Sequence, residues 1–170
     1  ELPGAIELIQ YLVANNIVVS LGHTNANREE AIAGFNAGAK TVTHLFNAMP
    51  KPPLDGTAQV AIERADVTIQ IIIDEVHVPN DLVKETLAKV ANRFVVTNDP
   101  IAAAGLGSGT YPFGGMEITV KDGQARRTDG TLAGGIGTLE RALEIMDAMG
   151  IAREDALASV TTRPCELIGI

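Results

Sequence analysis

Apolar and polar positions alternate along this chain in two different periods, and the switches between them mark out its elements. Ile6, Ile9, Leu12 and Val13 recur at helical spacing after Pro3, a residue suited to a helix's first turn, so a helix spans Glu1 to Ala14 and Asn15-Asn16 ends it. Ile17 to Leu21 is a continuous apolar run of the kind buried on both faces of a parallel sheet. Thr24 or Asn25 can cap a helix from Arg28 to Gly38, and Lys40 to His44 reads as the next strand. A turn-rich loop, Pro50 through Gly56, leads to a helical turn or two over Gln59 to Glu63. Val67 to Ile73 is the most strongly β-forming run, a helix starts at Asp81, and Phe94 to Thr97 is a fourth strand.

Four strand-helix units in a row fit an α/β protein with a parallel sheet. Beyond Thr97 the pattern changes. Gly105 to Gly109 and Gly130 to Gly137 read as loops, and Met116 to Arg127 reads as a β-hairpin turning at Asp122-Gly123. Thr138 to Met149, Glu154 to Thr161 and a short piece from Cys165 to Ile170 read as closing helices. The 170 residues are read as one domain with a hairpin excursion at about 111–130.

Composition narrows the functions. A formal charge of -8 with scattered Lys and Arg argues against nucleic-acid and anionic-membrane surfaces. No apolar run approaches the roughly 18 residues of a membrane span. One cysteine, Cys165, cannot form an internal disulfide, which points to a cytoplasmic setting and a buried, inert thiol.

Only three histidines occur, His23, His44 and His77, each at the exit of a separate predicted strand, with Asp99 at a fourth exit. Active sites of βα barrels gather at the carboxyl ends of the strands, so these groups are expected to converge. Two imidazoles on neighbouring strand ends can share one metal, and a carboxylate opposite can activate a metal-bound water. Asp74 and Glu75 are weaker candidates for supporting His77, and Gly134-Gly135-Ile136-Gly137 could bind an anion or be a plain loop.

Several strings resemble the N-acetylglucosamine-6-phosphate deacetylases of the amidohydrolase superfamily. They are Leu2-Pro3-Gly4-Ala5, Gly22-His23-Thr24-Asn25-Ala26, Thr43-His44-Leu45-Phe46-Asn47-Ala48-Met49, Asp74 through Val78, Asp99 with Ala102-Ala103-Ala104-Gly105, and Gly114-Gly115-Met116-Glu117. The resemblance implies the carboxy-terminal half of a (β/α)8 TIM-like barrel, about four βα units followed by the hairpin and helices. It implies a divalent metal, zinc or iron, held by His23 and His44, with Asp99 activating the water and protonating the leaving amine. His77, Asn47 and Ala48 resemble substrate contacts, and Ile136 falls in the loop covering the sugar. The implied reaction turns an amino-sugar phosphate, N-acetylglucosamine 6-phosphate, into glucosamine 6-phosphate and acetate.

Departures from the family accompany these matches. The third metal ligand is usually a glutamate on an earlier strand, outside these residues. The loop after His-Leu-Phe-Asn-Ala-Met usually carries a phosphate-binding arginine, and here only Lys51 is basic. An added residue in Thr97-Asn98-Asp99 leaves either Asn98 or Asp99 at the catalytic position, and Glu75 stands where glycine is usual. Four βα units would leave two open sheet edges, so two copies could close one barrel as a homo-oligomer. The other reading is a catalytically incomplete fragment or non-catalytic homologue.

Overall fold

A computed structural model describes all residues, 1–170. The four expected strands form one parallel sheet in sequential order: β1 (Ser20–Leu21), β2 (Thr41–Val42), β3 (Thr68–Ile72) and β4 (Phe94–Thr97). Helices α2 (Arg28–Asn36), α3 (Thr57–Glu63) and α4 (Asn80–Val90) make the crossovers, and α1 (Ala5–Ala14) precedes the sheet. β-branched side chains fill the centre: Ile69, Ile71, Ile72 and Ile73 are buried with Val42 and Val96. Helices α2, α3 and α4 lay Phe35, Val60 and Val83 into the same core.

β1 is shorter than expected. Ile17 and Val18 lie outside the strand and remain 50% and 40% exposed. The reading of that run as buried on both faces is therefore corrected: β1 is an edge strand, paired only with β2, so these side chains have no second neighbour to pack against. The cap of α2 is also corrected. Asn27, rather than Thr24 or Asn25, accepts from the Glu30 N–H, and the Glu30 side chain returns a bond to the Asn27 N–H, a reciprocal capping box. Pro3 lies just outside α1, whose cap is the left-handed Gly4.

The expected hairpin is the middle of something larger. β5 (Gly109–Phe113), β6 (Met116–Lys121), β7 (Gln124–Arg127) and β8 (Leu132–Gly134) form an antiparallel sheet in sequential order. β8 falls within a stretch read as loop and β5 begins at the end of another and runs into the expected excursion; both are outer strands that pairing with β6 and β7 organises. Ala103, Ile118, Val120 and Ala125 make a small second core, against which Tyr111, Phe113 and Ile136 pack. The chain ends with α5 (Leu139–Ala148), α6 (Arg153–Val160) and α7 (Thr162–Ile168), all packed on β4. Cys165, expected to be buried, is exposed on α7, which has no buried residue. No helix is long and apolar enough to cross a membrane.

Candidate metal centre at the strand ends

Register explains which of the four exit groups meet. Leu21 pairs with Val42, so His23 and His44, each two residues further on, leave the sheet at one level. Their Nε2 atoms are 2.9 Å apart, and the rings meet edge to face with centroids 4.7 Å apart. Close approach of the two exits depends on Gly22, where a Cβ would stand 2.8 Å from the Thr43 Cβ. Backbone bonds tie the exits together: the Thr43 N–H donates to Leu21 at 2.8 Å, and the Thr24 N–H to Ala48 at 3.0 Å.

The string from Leu45 to Ala48 has a structural logic of its own. Leu45 and Phe46 are fully buried and plug the loop into the core. Asn47 spends its amide N–H groups on the carbonyls of His44 and Leu45, at 3.1 and 3.2 Å, which holds a turn with left-handed residues at Phe46 and Ala48. Ala48 itself is exposed.

Left-handed backbone recurs at all four exits of the parallel sheet. His23 (φ 46°) follows β1, His44 (φ 31°) β2, Glu75 (φ 65°) β3 and Asp99 (φ 46°) β4, none of them glycine. Each such residue costs on the order of 1–3 kcal/mol, and strain of this kind clusters at functional sites. Sequence reasoning missed it; the signal was the glycine usual in the family at the position of Glu75.

The two histidines fit one shared ion. Imidazole nitrogens binding a metal at about 2.0–2.1 Å each must approach to about 3 Å of one another, as these do. Without an ion, one ring must donate to the other. His44 is 4% exposed, and its Nδ1 has no hydrogen-bond partner. With Nε2 given to an ion, Nδ1 carries the proton and needs an acceptor that these residues do not supply. No third His, Cys, Asp or Glu joins the pair in a ligating cluster.

Asp99 leaves the sheet further along than the pair. Val42 is level with Ile69 and Ile69 with Phe94, so His44 is level with Val96 and Asp99 lies three residues beyond. Asp99 is exposed, whereas Asn98 is half-buried and donates its side-chain amide to the Gly137 carbonyl at 3.0 Å. The Gly135 N–H donates to Asp99 (2.8 Å) and the Gly135 carbonyl accepts from Ile101 (3.1 Å), which seats the Ile136 loop beside Asp99. His77 is 8% exposed and its Nδ1 lies 2.7 Å from Asp74 Oδ2. Burial pushes the Asp74 carboxyl up, yet bonds from the His77 ring and from the N–H groups of His77 and Val76 hold it below its ordinary value.

A parallel βα sheet with paired imidazoles on the carboxyl-end rim defines an α/β protein of the kind that carries ligating side chains at its strand ends. No family model matches the sequence. Among curated proteins, the N-acetylglucosamine-6-phosphate deacetylase of Bacillus subtilis is 36% identical over 136 residues, covering 76% of this chain and 34% of its own length. That of Caenorhabditis elegans is 33% identical over 180 residues, covering all of this chain and 43% of its own. A solved structure of the Mycobacterium smegmatis enzyme, a mutant in complex with N-acetyl-D-glucosamine-6-phosphate, superposes with a TM-score of 0.92 at 32% identity, covering 100% of this chain and 47% of that one. The chain belongs to the N-acetylglucosamine-6-phosphate deacetylase family, and it spans less than half the length of these relatives.

Proposed function

We propose that this chain supplies the two-histidine portion of a metal-dependent deacetylase that hydrolyses the acetamide of N-acetylglucosamine 6-phosphate to glucosamine 6-phosphate and acetate. The observation that carries the reading is the 2.9 Å approach of His23 and His44 Nε2 at neighbouring strand ends, in a chain of this family. The two Nε2 atoms would hold zinc or iron, with the remaining ligand coming from outside these residues. When bound, the metal polarises the acetamide carbonyl and lowers the pKa of a coordinated water.

Asp99 takes the proton of the attacking water and passes it to the departing amine; its exposed carboxylate supports that role over Asn98, whose amide is committed to Gly137. His77 holds the substrate, Asn47 and Ala48 receive the sugar phosphate, and Ile136 covers the sugar. Sequential parallel order and the exposed edge at β1 support reading the sheet as half of a (β/α)8 barrel, closed by further chain or by a second copy. The single free cysteine agrees with a cytoplasmic setting.

The test is the metal content of the purified assembly together with acetate release from N-acetylglucosamine 6-phosphate. About one zinc or iron per site, lost with the activity in His23→Ala and in His44→Ala, supports the reading. Undiminished acetate release with both histidines replaced overturns it.

A further inference from the structure

The mechanism above gives His77 a role but leaves open which of its ring nitrogens faces the substrate, and Asp74 answers that. Asp74 Oδ1 accepts from the backbone N–H groups of Val76 and His77, both at 2.9 Å. That leaves Oδ2 alone for the ring, 2.7 Å from His77 Nδ1. A carboxylate held below its ordinary pKa is an acceptor only, so Nδ1 must be the donor. The other ring nitrogen, Nε2, has no protein partner.

We propose that Asp74 is a positioning residue that locks His77 in the Nδ1–H tautomer and so presents Nε2 as a hydrogen-bond acceptor. In that tautomer Nε2 favours a group with a hydrogen to give, a sugar hydroxyl or an amide N–H, over a bare oxygen acceptor. This deepens the deacetylase reading and rests on it for the identity of the ligand. The tautomer itself rests only on the Asp74 geometry.

Substitution Asp74→Asn turns the proposal into a signed outcome. The Asn oxygen stays where two backbone N–H groups need an acceptor, so its NH2 takes the place of Oδ2 and faces Nδ1. A donor there forces Nδ1 to accept, and the ring proton moves to Nε2. The experiment is long-range ¹H–¹⁵N NMR of the imidazoles in the ¹⁵N-labelled chain above neutral pH, with His77 assigned from His77→Gln. Only three histidines contribute signals.

The expected result is a single Nδ1–H form for His77 that inverts to Nε2–H in Asp74→Asn, while His23 and His44 keep their shifts. A merely structural Asp74 would shift the His77 signals without moving the proton to Nε2. An Nε2–H or mixed tautomer in the unsubstituted chain overturns the proposal, and so does an unchanged tautomer in Asp74→Asn. Should the variant not fold, the unsubstituted chain still decides. Neither result depends on acetate release, so failure here and failure of the deacetylase reading are separate findings.

Discussion

Replacing Gly135 with alanine tests how the loop after β8 is seated. An added Cβ would stand 1.8 Å from the Asn98 carbonyl oxygen, a backbone atom with no flexible end to move aside. The loop must therefore withdraw from the exit of β4. Withdrawal breaks the bond from the Gly135 N–H to Asp99 and the one from the Ile101 N–H to Gly135. At about 0.5–1.5 kcal/mol each, with loosened packing of Ile136 added, the loss comes to roughly 2–4 kcal/mol. Urea unfolding followed by circular dichroism measures it, with Gly137→Ala as the control. A Cβ on Gly137 meets only the Asp74 Cβ, at 3.8 Å, an ordinary contact, so the control should shift by less than about 1 kcal/mol. Equal effects at the two glycines, or no effect at Gly135, would refute the seating described above.

Two further outcomes follow from side chains described above. Asn27→Ala should cost about 0.5–2 kcal/mol through loss of the α2 capping box, whereas Asn25→Ala should cost little, both read by thermal or urea unfolding. Asp74 has a folded pKa below its unfolded value of 3.8. The stability it contributes is therefore present above about pH 4 and is lost as the pH falls through the folded value. Unfolding curves on acidification should show a shallower loss in Asp74→Asn than in the unsubstituted chain.

The parallel half of this molecule was legible because its strands are rich in β-branched residues and each crossover helix has an apolar stripe. Thr68–Ile72 and Phe94–Thr97 came through almost to the residue, since both are mostly buried apolar runs bounded by polar turns. Ile17 and Val18 misled for the same reason: an apolar run announces burial, but the neighbour that would bury it is absent from the sheet. β5 was obscured by its proline and β8 by its three-residue length and closing glycine, so both outer strands show themselves only through their partners.

The candidate site was legible in part. Histidines at successive strand exits gave the meeting of His23 and His44, which parallel register then enforces. The offset of Asp99 followed from how far β3 and β4 run on past β2, a length that composition does not print. Nor could the sequence say that Asn98 would be drawn to the Gly137 carbonyl, because that contact joins residues brought together by the second sheet. Cys165 was misread because α7 buries none of its residues.

A left-handed residue at each exit of the parallel sheet breaks the up-and-down alternation of the pleat just where the candidate site side chains begin. What those side chains reach is decided by a local twist of the main chain and no longer by counting odd and even positions along the strand. Chemistry on the rim can thus be exchanged residue by residue while the hydrogen-bonded ladder beneath stays as it is. The same twist makes the rim intolerant of valine, isoleucine and threonine, whose branched Cβ fits that backbone worst.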